Sequence, residues 1–213
     1  MRGPRNEADP EKKTLKAAEQ DRPDVQEGRR VFAIEVAALA VERLVFLDEF
    51  GCNTAMARRF ARALQGQRAY GSCPLNYGPN VSVAGAVRLD GVVAAMVLDG
   101  AFDGEAFLAF TTSILAPALQ PGDVVVMDNL ASHKVKGVIT AIEAVGARVM
   151  YLPPYSPDFN PIEMCWSKVK AYLRAQAART SKALDDAIAR GLDLVTLSDL
   201  RGWFQHCGYG ISA

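Results

Sequence analysis

The sequence has no excess of charge of either sign: 24 lysine and arginine residues balance 24 aspartate and glutamate residues. A neutral chain carries no global field to draw in a polyanion. That excludes a simple electrostatic nucleic-acid binder and leaves only local basic patches for such a purpose. No apolar run reaches the ~18 residues of a membrane span, and the N-terminal stretch is too charged for a secretion signal. A cytoplasmic protein with no membrane partner is expected. Cysteine is sparse: Cys52, Cys73, Cys165 and Cys207 lie far apart, without CxxC or zinc-ligand spacing, and read as reduced thiols. There are only two histidines, His133 and His206, and neither belongs to a triad with an obvious nucleophile, so serine- and cysteine-hydrolase chemistry is not indicated. No GxGxxG or GxxxxGK[ST] string cradles a phosphate, there are no internal repeats, and no small-molecule substrate is expected.

What is there has a clear order. Residues 1–22 are polar and mixed in charge, too poor in large apolar groups to offset their ordering entropy, and read as a disordered tail or linker. From Pro23 the spacing of Val25, Phe32, Val36 and Leu39 predicts a helix over 23–40, despite Gly28 inside it. Leu44–Leu47 reads as a buried strand ending at Asp48-Glu49. Residues 52–79, with Arg58, Arg59, Arg62 and Arg68 among glycines and prolines, read as a loop-rich excursion, with room for a strand near its end. Two β-prone runs, 81–89 and 92–98, flank Asp90-Gly91, a hairpin signal in which both central residues would take positive φ. A helix over 104–118, a strand over 124–127, a helix over 134–145 and a strand over 147–152 follow. A proline-rich loop, 153–161, precedes helices over 161–176, 181–195 and 198–207. Antiparallel strands followed by βαβ units predict an α/β domain over 23–213, a mixed sheet flanked by helices.

Three carboxylates stand out. Asp48 ends an apolar strand, where charges are commonly just solvated; Glu49 beside it would face the other way and is the reserve candidate. Asp128 ends Val124–Met127, and the carboxyl ends of strands are where open α/β sheets bind ligands, but Asp128-Asn129 is equally a good turn pair. Glu163 fits a capping box with Asn160 as N-cap and Pro161 at the first helical position. It also heads a polar stripe, Glu163, Ser167, Lys170 and Arg174, beside the apolar stripe Ile162, Trp166, Val169 and Leu173. That stripe suits a metal ligand followed by phosphate-binding cations, and it suits an ordinary solvated surface. His133 reads as a polar residue at the mouth of the Asp128 loop or as a helix N-terminal residue, and His206 as a helix-end residue.

Three strings, LVFLDEFG, VVVMDNLASHK and YLPPYSPDFNPIEMCWSKVK, resemble the catalytic blocks of the DDE transposases of the insertion-sequence-630 and mariner superfamily. The 34 residues between Asp128 and Glu163 match the interval typical of that superfamily. The resemblance covers roughly residues 23–210 and implies a ribonuclease-H-like fold, which the element order also suits. It implies that Asp48, Asp128 and Glu163 are the catalytic and metal-binding triad, holding two Mg²⁺ (or Mn²⁺) ions about 4 Å apart. The hard oxygen donors suit those ions rather than zinc. The implied activity is cleavage of an element's ends followed by strand transfer into target DNA, usually at TA. The implied partners are that DNA and a second copy of the chain in a homodimer. Asn129, His133 and Lys134 match the family's DN…HK block as positioning or phosphate contacts, and Lys168 and Lys170 are candidates for backbone contacts. Full-length members carry N-terminal helix-turn-helix domains, whereas only about 22 linker-like residues precede the homology here. The sequence therefore leaves open where recognition of the ends comes from. It also admits two other readings: a truncated, inert remnant, and a ribonuclease-H-like nuclease outside transposition.

Overall fold

Strand β1 (Leu44–Cys52) is the middle of a five-stranded sheet, and its two edges are served differently. Along one edge runs β2 (Val81–Arg88), antiparallel from Phe46↔Val87 to Cys52↔Val81, with β3 (Gly91–Asp99) antiparallel beyond it. Along the other runs β4 (Val124–Met127), parallel over Leu44↔Val124 to Phe46↔Val126, with β5 (Arg148–Tyr151) parallel outside it. The order is β3-β2-β1-β4-β5, the mixed sheet that the element order predicts. The computed structural model describes residues 17–58 and 60–210, so most of the segment read as tail lies outside the described residues.

Alternation along β1 sends successive side chains to opposite faces. Leu44, Phe46 and Phe50 face a layer made by α1 (Pro23–Ala37), α5 (Ile162–Gln176), α6 (Ser181–Asp193) and α7 (Leu197–His206). Val45 and Leu47 face α2 (Gly104–Phe110), its continuation through a π turn and α3 (Ala116–Ala118), and α4 (Val138–Ala144). Two cores therefore sandwich one sheet. No helix among the described residues is long and apolar enough to cross a membrane.

Several boundaries differ from the sequence reading, each for a local reason. β1 does not stop at Leu47: β2 supplies partners as far as Cys52, so pairing carries the strand on through Asp48, Glu49 and Gly51. The β2–β3 turn is Leu89-Asp90, without positive φ at either residue, and an irregularity between Ala86 and Val87 absorbs the one-residue shift. The helix expected from residue 134 begins at Val138, because Gly137 sits at φ +105 and breaks the 3-10 turn Ala131–Lys134 from it. The described part of 52–79 contains no strand beyond the end of β1 at Cys52. Residues 18–21, at the end of the expected tail, form a 3-10 turn, and the Gln20 side chain donates to the Tyr155 carbonyl at 2.5 Å.

Candidate active site

Register places the first two carboxylates. Phe46 pairs with Val126 across β1 and β4, so two residues further on Asp48 comes level with Asp128. Both share the face of Phe46 and Val126, the face that α5 covers. Helix α5 buries Ile162, Trp166, Val169 and Leu173 against the sheet and leaves Glu163, in its first turn, exposed. Asp48, Asp128 and Glu163 then line one cleft of about 310 Å³, together with Asn129 and the loop 153–157. A larger apolar hollow between α1 and the end of α7 holds no carboxylate.

The close approach of α5 depends on a missing side chain. Gly85 on β2 pairs with Asp48, and a Cβ there would lie 2.7 Å from the Trp166 ring. The indole fills that space, tilted against Phe50 at 4.8 Å between centroids.

The carboxylates are not equivalent. Asp48 lies inside a central strand; burial first, and then the charge of Glu163, raise its pKa from 3.8 to about 7. Burial is also the largest single influence on Asp128, but the hydrogen bond and charge of His133 and the Leu130 N–H together outweigh it and hold the carboxyl below the ordinary range. Glu163 is not part of a capping box. The helix opens with backbone bonds, Glu163 N–H to the Asn160 carbonyl at 3.2 Å, and no side chain caps it. Asn160 turns inward instead: it is 4% exposed, and its Oδ1 lines up no hydrogen-bond partner in the protein.

The loop that walls the cleft is held from both termini of the described chain. Arg29 of α1 donates to Ser156 Oγ at 2.7 Å, pairs with Asp158 at 2.6 Å and lies over the Phe159 ring. The Tyr209 hydroxyl donates to the Phe159 carbonyl at 2.5 Å. Within this loop Tyr155 sits at φ +56, a conformation that costs about 1–2 kcal/mol for a residue with a Cβ. Nothing in the sequence marked Arg29, because its partners lie some 130 positions away.

The residues read as DNA contacts are placed unevenly. Asn129 is exposed and lines the cleft, whereas Lys134 is exposed with its Nζ 5.6 Å from the centroid of the Tyr151 ring. His133 is fully buried, so the reading of it as a DNA contact is corrected: both ring nitrogens already face carboxylates. Lys168 is likewise turned away, its Nζ 2.5 Å from Asp199, the residue that closes the capping box of α7. Lys170 is half-buried with its Nζ 5.1 Å from the centroid of the Phe50 ring.

The donor set is all oxygen, which suits a hard divalent cation. Burial and then the charge of Glu163 disfavour the ionised form of Asp48, a cost that such an ion would relieve. Among the described residues no three acidic, histidine or cysteine side chains converge on one point, so the carboxylates ring the cleft rather than meet in it.

A mixed sheet between helical layers, with one acidic residue within its central strand, one just past the end of the neighbouring parallel strand and one on a helix crossing that face, defines a ribonuclease-H-like fold. The model of the DDE superfamily endonucleases matches residues 43–185, and the chain belongs to that family. Among solved structures, the Mos1 transposase paired-end complex with left transposon end superposes with a TM-score of 0.78 at 16% identity, over 95% of this chain and 65% of that one. The Mos1 mariner paired-end complex with Mn gives 0.77 at 15% identity, over 95% and 64%. The catalytic domain of Mos1 mariner transposase gives 0.64 at 14% identity, over 87% and 89%. The chain thus spans about 65% of the length of the transposase in the paired-end complex. No curated protein matches it.

Proposed function

We propose that this chain is the catalytic domain of a transposase that cuts DNA at an element's ends and joins the freed strand to a target. The observation that carries this is the gathering of Asp48, Asp128 and Glu163 on one cleft of a DDE-family fold. In the first step a water oxygen bonds to phosphorus as the bond to the 3′ oxygen breaks, leaving a 3′-OH and a 5′-phosphate. In the second, that 3′-OH attacks a target phosphodiester and releases a target 3′-OH. One phosphodiester replaces another, so joining needs no external energy source. Asp48, Asp128 and Glu163 would hold Mg²⁺ or Mn²⁺, two ions in the full reading. Such ions would offset the charge that builds at the attacked phosphate. Asp128 and Glu163 come from separate, well-packed elements, which fixes their separation before DNA arrives.

Nicking of supercoiled plasmid with Mg²⁺ or Mn²⁺ tests the reading. Wild type should nick, and Glu163→Gln should lose at least about 100-fold in rate while melting as wild type does. Equal nicking by both would remove Glu163 from the chemistry.

The DNA path is proposed to cross the excursion. Residues 53–80 contain arginines and not one acidic residue, in a chain that is neutral overall. Arg58, Arg62 and Arg68 are exposed. Arg58 and Arg68 border a hollow of about 700 Å³ with Arg174 and Arg179 at the end of α5. Arg179 anchors the excursion by donating to the carbonyls of Thr54, Met56 and Ser72. Replacing Arg58, Arg62 and Arg68 by alanine should weaken binding to duplexes of any sequence and flatten the log Kd against log salt slope by about 2 to 3. An unchanged slope would place the DNA elsewhere. The target dinucleotide, taken as TA, and a homodimer remain part of the same proposal.

A further inference from the structure

His133 lies on the opposite face of the sheet from the cleft, yet touches it. Its ring is fully buried and stacks on Phe107 with centroids 4.2 Å apart and planes 29° from parallel. Because β4 ends at Met127, the ring can reach past the strand end to the other face. Nδ1 lies 2.6 Å from Asp128 Oδ1, and Nε2 lies 2.8 Å from Glu49 Oε1. Glu49 is the neighbour of Asp48 on β1, pointing to the other face as alternation requires. The same Asp128 Oδ1 also accepts the Leu130 backbone N–H at 3.1 Å. Nδ1 also lies 3.3 Å from the Asp128 carbonyl oxygen, and Oδ1 faces two protein donors, which leaves Oδ2 the freer oxygen for the cleft.

We infer that Glu49 and His133 form a relay across the sheet that positions Asp128, fixing which of its oxygens is offered to a cation. Neither residue touches DNA; both are positioning residues. Glu49 orients the imidazole, Phe107 fixes its plane, and the imidazole fixes the carboxylate. A hydrogen-bonded outer partner of this kind is commonly worth 10–100-fold in metal affinity. The arrangement also accounts for an acidic residue directly after Asp48, on a face where it cannot reach the cleft. The inference rests on the proposed metal site.

The test uses the full chain and MnCl₂ alone, with free Mn²⁺ counted by electron paramagnetic resonance. Glu49→Ala and His133→Ala should raise the Mn²⁺ Kd by about 10–100-fold, while Glu49→Gln, which keeps an acceptor oxygen for Nε2–H, should stay close to wild type. In nicking assays the alanine variants should lose kcat with little change in KM for DNA. Wild-type Mn²⁺ affinity in Glu49→Ala and His133→Ala would overturn the relay while leaving the metal site standing. No Mn²⁺ binding by wild type, or binding that survives Asp48→Asn, would overturn both. Should the alanine variants fail to fold, the native chain still decides. It has only two histidines, so in a ¹⁵N-histidine spectrum MgCl₂ should shift the His133 Nδ1 signal and leave exposed His206 in place. A stationary His133 signal at saturating Mg²⁺ would overturn the relay.

Discussion

Asp48→Asn is expected to raise the melting temperature of the metal-free protein at pH 8 while abolishing cleavage. Asp48 sits within β1, and burial together with the nearby charges of Glu163, Glu49 and Asp128 lifts its pKa to about 7. The sign follows from where the proton sits. Below about pH 4 Asp48 is protonated in both the folded and unfolded chain, and the site carries no penalty. Between about pH 4 and 7 the unfolded chain gives up the proton while the fold keeps it, so stability falls as pH rises. Above pH 7 the fold carries the full cost, on the order of 4 kcal/mol for a change from 3.8 to about 7. Asparagine cannot ionise and escapes that cost. In a domain of this size the gain corresponds to roughly 10 °C at pH 8, shrinking to little at pH 4. Saturating Mg²⁺ should narrow the gap by stabilising wild type alone. Melting curves from pH 4 to 8 read all of this, and parallel pH profiles for the two proteins would sink the claim that Asp48 is the strained carboxylate.

Gly85→Val should be the most damaging single change in the sheet. Its first added carbon would lie 2.7 Å from the Trp166 ring and 3.3 Å from the Ala94 carbonyl oxygen, and valine adds two methyls beyond that. The ring is 1% exposed and packed within the core on that face of the sheet. Overpacking of this kind costs about 1–3 kcal/mol or more, and the only relief is for α5 to move off the sheet. Glu163 rides on that helix, so cleavage should fall further than stability alone accounts for. Urea melts and nicking rates measured together separate the two losses. Trp166→Leu placed in the Gly85→Val background should restore part of the stability; no recovery would mean that the indole is not what the valine meets.

The legible part of this fold was whatever hydrophobic spacing controls. The buried stripe of α5 follows from helical spacing, β1 and β4 from their continuous apolar runs and the β2–β3 hairpin from two β-prone runs around a turn pair, and the sheet follows from their order. Long-range partnership was not legible. Asp48 looked like a strand end because nothing local announces that β2 pairs as far as Cys52. Glu163 looked like half of a capping box because Asn160 has the right spacing, and only packing turns that amide inward. His133 read as a polar residue at the mouth of the Asp128 loop or at a helix N-terminus, because nothing near it in the chain signals burial. Its burial depends on Phe107 and Glu49, which are 26 and 84 positions away.

The excursion leaves and re-enters the sheet at one point. Cys52 is paired directly with Val81, and just outside that pair the Asn53 side chain donates to Asn80 Oδ1 at 2.9 Å. The neck is therefore closed by its own bonds, whatever the 26 residues beyond it do. Loop-closure entropy rises only slowly with length, so this insertion can grow, shrink or change composition at little expense to the sheet. The cutting apparatus and the surface set against DNA are in this sense separately adjustable parts, joined at the Cys52–Val81 pair and tied to the helical layer by Arg179. A chain in which a short turn replaced residues 53–80 would keep every residue of the cleft. It would then show how much of the protein's grip on DNA belongs to the part that can be exchanged.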